Sequence, residues 1–128
     1  MFIKSIQDSH YFQAFDNTTL CELIHPARDC SIILPYSIVH VVLKPGMTSL
    51  PHLLKESSEV YFILEGQGII HIDDESAYVC QGQAIYIPPG SRQHIKNTGA
   101  KDLKFLGIVH PMWRKEDEVI LASESQVI

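Results

Sequence analysis

The sequence predicts an all-β fold, a sandwich or closed barrel of short strands. Two observations point there. Runs dominated by β-branched residues and Tyr, such as Ser37–Leu43 and Val60–Leu64, recur along the chain, and such side chains suit a pleated, half-buried surface. Turn residues interrupt the runs at intervals of about 8 to 12 residues, the spacing of sandwiches and barrels rather than of alternating strands and helices.

The elements follow in order. Met1 to Asn17 has little periodicity and reads as a short irregular N-terminal arm. Thr19–Ile24 is the first candidate strand, and Ser37–Leu43 the second, stopped by Pro45-Gly46. Val60–Leu64 ends at Glu65-Gly66. Ile69–Ile72 and Ala77–Cys80 flank Asp73-Asp74-Glu75, which reads as a hairpin turn. Ala84–Ile87 stops at Pro88-Pro89-Gly90, and Gln93–Lys96 is joined to Leu103–Val109 by Asn97-Thr98-Gly99-Ala100. Beyond Pro111-Met112-Trp113, the segment Arg114–Ala122 reads as a short C-terminal helix, with Glu116-Asp117-Glu118 as a solvated face and Trp113 as an apolar anchor. Nothing resembles a repeat, a low-complexity tract or a linker, so one domain over residues 1–128 is expected.

Composition narrows the function classes. The formal net charge is -5 with no cluster of Lys and Arg, which argues against nucleic acid and anionic membranes as partners, since both call for a basic patch. No stretch approaches the ~20 apolar residues of a membrane span. Met1 to His10 lacks the apolar core of a signal peptide. The three cysteines, Cys21, Cys30 and Cys80, match no zinc spacing and are expected to be buried free thiols in a reducing cytoplasm.

Strand alternation sorts the polar candidates. Glu59 shares a face with Tyr61 and Ile63, so it is expected to point into an apolar interior, where a carboxylate needs a cation, a metal or hydrogen bonds. His52, seven residues earlier, is a candidate partner. Gln93 and Asn97 share a face with Ile95, while His94 shares one with Lys96; isoleucine prefers the core and lysine the solvent, so Gln93 points in and His94 out unless a bulge re-aims the strand. The inward set is His52, Glu59 and Gln93, suited to Mn, Fe, Ni or Zn. His94 or His40 are the alternative ligands, and Tyr61 is a candidate catalytic acid.

These residues lie in two spaced strings. Gly46-x5-His52-x-Leu54-x4-Glu59-x6-Gly66 resembles the first motif of the cupin family, and Gly82-x5-Pro88-x-Gly90-x2-Gln93-x3-Asn97 resembles the second. Leu54 stands where that family carries a second histidine, and Gln93 where it carries a third. The resemblance spans residues 46–66 and 82–97 and implies a double-stranded β-helix (a jelly-roll β-barrel), a homodimer, and a divalent metal held in the barrel. Carried over by position, His52 and Glu59 keep their metal-ligand places, Gln93 is a substitute ligand and Leu54 becomes pocket wall.

The leading expectation is a small cupin binding a divalent metal and a small molecule, a candidate metal-dependent isomerase or epimerase, dioxygenase or lyase acting on a sugar or small carboxylic compound. The alternative is a non-catalytic domain binding a small ligand at a degenerate metal site. A DNA-binding regulator is disfavoured by the absence of a basic patch.

Overall fold

The computed structural model describes residues 1–121. Among them, β1 (Phe12–Gln13), β2 (Thr19–Ile24), β3 (Ser37–Leu43), β4 (His52–Leu54), β5 (Ser58–Glu65), β6 (Gln67–Ile72), β7 (Glu75–Cys80), β8 (Ala84–Ile87), β9 (Gln93–Asn97), β10 (Leu103–His110) and β11 (Glu118–Ile120) form two antiparallel sheets. One sheet runs β1-β2-β3-β10-β5-β8 and the other β11-β4-β9-β6-β7. From β3 onward the chain passes back and forth between the sheets, staying in one only for the β6–β7 hairpin. This is the expected jelly roll.

Side-chain alternation places the core. On β10, Leu103, Phe105 and Val109 are buried and point inward, with Gly107 between them on the same face. Leu43, Ile63, Ile70, Val79, Ile95 and Leu103 fill one end of the barrel. Each such side chain contributes about 1.5–3 kcal/mol on leaving water. The inward rows continue past this plug as Val39 on β3, Glu59 on β5 and Val109 on β10, and there the barrel holds a cavity instead.

The spaced glycines and Asn97 serve the backbone. Gly46, Gly66, Gly82 and Gly90 all have positive φ, a region that costs other L-residues strain. At Gly66 a Cβ would also lie 2.7 Å from the Asp102 carbonyl oxygen. Asn97 is fully buried. Its amide donates to the carbonyls of Leu43 and Lys101, its side-chain oxygen accepts from the Gly99 N–H, and its own carbonyl accepts from Gly46. It therefore ties the β9–β10 turn to the end of β3. The Asp73-Asp74 hairpin is present, with Ile72 opposite Glu75.

Several expectations need correction. The N-terminal arm is not wholly irregular: it contains β1, which pairs with β2 and covers part of that edge. The described part of Arg114–Ala122 is helical for a single turn only. Within its described part, Lys115–Asp117 makes one 3-10 turn and Glu118–Ile120 pairs with β4 as β11; Ala122 lies outside the described residues. Nor is the acidic cluster a solvated face, because Asp117 is 2% exposed and accepts from the backbone N–H groups of Glu56 and Ser57. Of the cysteines, Cys21 is buried, whereas Cys30 and Cys80 are exposed. No helix among the described residues is long and apolar enough to cross a membrane.

Asp117 is the buried clamp between the C-terminal strand and the β4–β5 loop. Asp117→Ala is expected to destabilise the fold by about 3 kcal/mol, because hydrogen bonds to a charged group are worth about 1.5–3 kcal/mol each. Urea unfolding measures it, and a loss below about 0.5 kcal/mol would deny Asp117 that role.

Candidate functional site

The cavity has a volume of about 310 Å³. Its walls are mostly apolar, built from Leu20, Val39, Val41, Leu54, Phe105 and Val109. The N-terminal arm contributes Phe12, Phe15 and Asp16, and the C-terminal segment contributes Trp113 and Glu118. Phe15 and Trp113 lie with ring centroids 6.1 Å apart.

Two polar groupings face this space. The first is a chain of buried hydrogen bonds. Tyr61 donates its hydroxyl to Gln93 Oε1 at 2.7 Å, and Gln93 Nε2 donates to Glu59 Oε1 at 3.0 Å. Room for the carboxylate comes from Gly107, where a Cβ would sit 3.2 Å from Glu59 Oε2 and 2.9 Å from a Val39 methyl. Burial pushes the Glu59 carboxyl up to about 7, with His52 and the Gln93 hydrogen bond opposing that rise. Burial, and next the Glu59 charge, push the Tyr61 phenol well above its ordinary value.

The second grouping converges from three separate parts of the chain. His52 on β4 is 3% exposed. Its Nδ1 lies 2.7 Å from the Leu50 carbonyl oxygen. A carbonyl only accepts, so Nδ1 carries a proton and points away from the cavity carboxylates. Nε2 faces Asp16 Oδ2 at 3.6 Å. Asp16 is held by its other oxygen, which accepts from the Thr18 N–H and hydroxyl. Glu118 accepts from the Trp113 indole N–H at 3.2 Å, and burial raises its carboxyl above the ordinary value. Ligand atoms of Asp16, His52 and Glu118 all lie within 4.8 Å of one another.

The structure thus divides the residues that the sequence grouped as His52, Glu59 and Gln93. It places all three side chains inward, but Glu59 and Gln93 bond to each other and to Tyr61, whereas His52 meets Asp16 and Glu118. Leu54 lines the cavity, as expected. The two alternative ligands do not reach it. His40 points to the outer face of β3 and bonds through Nδ1 to the Tyr11 hydroxyl at 2.7 Å, because its neighbours Val39 and Val41 occupy the inward row. His94 stacks on His71 across β6 and β9, ring centroids 4.3 Å apart, on the face opposite Gln93.

Sequence reasoning missed Asp16, Glu118 and Gly107. Asp16-x-Thr18 carried a local signal, since Asp and Thr bond their own backbone in turns. Glu118 carried none, because a three-residue strand is too short to show alternation.

The profile of the cupin domain matches residues 39–109. The chain belongs to the cupin family. An uncharacterized protein of Methanocaldococcus jannaschii is 35% identical over 106 residues, 83% of each chain. The oxalate-binding protein of Thermotoga maritima is 31% identical over 67 residues, 52% of this cupin and 55% of that protein. Among solved structures, a nucleoside dehydratase superposes with a TM-score of 0.74 at 21% identity, over 98% of this chain and 97% of that one. Variants of that protein, from Streptomyces, were solved with uridine. At that identity the likeness speaks for the fold.

Glu59 imposes a pH dependence on the metal-free cupin. With its folded value near 7 and its ordinary value at 4.5, the folded state keeps a proton that the unfolded chain releases between those values. Stability from this group is therefore greatest below about pH 4.5 and falls as pH rises towards about 7, by up to roughly 3 kcal/mol at 1.36 kcal/mol per pH unit. Glu59→Gln should remove this slope, so the variant gains on wild type as pH rises through the window. Urea unfolding across the pH range measures the difference, and a constant gap between the two proteins would refute the burial of a titrating Glu59.

Proposed function

We propose that this cupin binds a small organic molecule in the open end of its barrel, beside a divalent metal held by Asp16, His52 and Glu118. The observation that carries the reading is the meeting of three ligand atoms, from the arm, from β4 and from β11, within 4.8 Å of one another at the cavity wall. One imidazole nitrogen and two carboxylates suit Mn, Fe(II) or Zn. The donor chemistry fits: Nδ1 of His52 is engaged by the Leu50 carbonyl, which leaves Nε2 to face the ion, and Asp16 and Glu118 each have an oxygen outside the hydrogen bonds that orient them. Bound there, the ion would supply Lewis-acid polarisation of a ligand oxygen.

Under this reading Glu59 handles protons. A carboxyl poised near 7 exchanges its proton readily at neutral pH, whereas a phenol held well above its ordinary value is a poor acid. The acid role expected for Tyr61 passes to Glu59, with Gln93 and Tyr61 fixing its orientation. Such tuning supports an enzyme over a bare binding domain. Of the molecules named for similar proteins, oxalate is a small dianion and uridine an uncharged ring bearing hydroxyls; the apolar walls favour the second kind.

Metal analysis of purified protein tests the centre. His52→Ala and Glu118→Gln should each lower bound metal at least tenfold, while Gln93→Met should retain it. Retention in Glu118→Gln together with loss in Gln93→Met would return the ligand set to His52, Glu59 and Gln93.

We also propose that the outer face of the six-stranded sheet docks a second copy of the chain. Strands β3, β5 and β10 are apolar on both faces, a pattern normally covered on both sides. Ile38, Val60, Leu106 and Ile108 form the outer rows, with Phe62 and Tyr86 more exposed. An apolar patch can meet its own copy about a two-fold axis, and here the Lys104–Glu65 ion pair borders it. Phe62→Lys should shift a dimer to a monomer in sedimentation velocity, and an unchanged dimer would place the interface elsewhere.

A further inference from the structure

The charge and hydrogen-bond character of the cavity select among ligands more narrowly than its size does. Four acidic side chains line it and one basic, Arg28. Arg28 is already paired with Glu22. That leaves Glu59, largely protonated below neutral pH, and the pair Asp16 and Glu118. Two carboxylates and a neutral imidazole cancel a divalent cation, so the centre is formally neutral with the metal and negative without it. In neither state is there a free cation to compensate an anionic ligand, and an uncompensated charge in an apolar enclosure is costly.

Where the arm, β4 and β11 meet, the polar wall is dominated by acceptors. The carboxylate oxygens of Asp16 and Glu118 accept, and they lie beside His52 Nε2. A ligand edge facing them must donate. A hydroxyl satisfies both metal states, offering its proton to a carboxylate and its lone pair to a cation.

The rest of the surface asks for a flat apolar body. Phe12 is 42% exposed and Phe15 50% exposed, although both line the cavity. Trp113 stands across from Phe15. A volume of about 310 Å³ holds roughly ten water-sized groups at about 30 Å³ each, enough for one ring with short substituents.

We infer that the occupant is an uncharged, ring-bearing alcohol, and that dicarboxylates are rejected. This rests on the reading of the cavity as a small-molecule site, but not on the metal.

A matched pair of probes tests it. Phthalyl alcohol and phthalate share a ring and a size and differ in charge. Trp113 is the only tryptophan of the chain and lines the cavity, so its fluorescence reports on an entering ring. Titrations of wild-type protein would be run once in EDTA and once with manganese(II). The expected result is quenching by phthalyl alcohol in both states, with phthalate at least tenfold weaker. Asp16→Asn combined with Glu118→Gln should narrow that preference, and circular dichroism shows whether the variant is folded. Phthalate binding as tightly as the alcohol to wild-type protein overturns the inference, as does the absence of any quenching by the alcohol up to its solubility limit. Ring binding without manganese uptake would sink the metal centre and leave this inference standing; manganese uptake without ring binding would do the reverse.

Discussion

A carboxyl group enclosed in an apolar barrel must be neutralised or bonded, and much of this cupin's interior is arranged around that requirement at Glu59. The polar atoms near it are spent on one another. Gln93 suits the position because an amide both donates and accepts, so one side chain answers the Glu59 oxygen and the Tyr61 hydroxyl at once. Gly107 completes the arrangement by leaving out a side chain where the carboxylate needs space.

The second constraint is closure of the open end. The strands alone would leave the cavity lined by β-sheet on its sides and open above. Two irregular segments, one from each side of the family-matched region at residues 39–109, come together there. The arm brings Asp16 and Phe15, and the C-terminal segment brings Trp113 and Glu118. Asp117 anchors that segment by bonding two backbone N–H groups of the β4–β5 loop. Two adjacent acids therefore have opposite duties: Asp117 is spent on structure, and Glu118 faces the cavity. Strand alternation separates them, since Glu118 begins β11 in register with Leu54.

Much of the barrel was legible because its signals are local. Four turn glycines, Gly46, Gly66, Gly82 and Gly90, mark positions of positive φ, and alternation in β9 sends Gln93 inward with Ile95 and His94 outward with Lys96. Asn97 was recognisable as a motif position, although only the fold shows that it binds the carbonyls of Leu43 at the end of β3 and Lys101 in the β9–β10 turn. The C-terminal segment was misread because acidic residues beside a polar turn ordinarily face water. Nothing within that segment announces that it will be covered by β4 and the arm.

The sequence by itself determined the all-β barrel, the cupin framework and the inward direction of Glu59 and Gln93, because those depend on φ preferences and a two-residue alternation within single strands, while His52 was marked by its motif position. Only the tertiary structure decided which of those residues meet. The partners of His52 come from positions 16 and 118, brought together from nearly opposite ends of the chain. Their proximity depends on how both terminal segments pack over the barrel, and that packing is a property of distance in space, which no local pattern encodes.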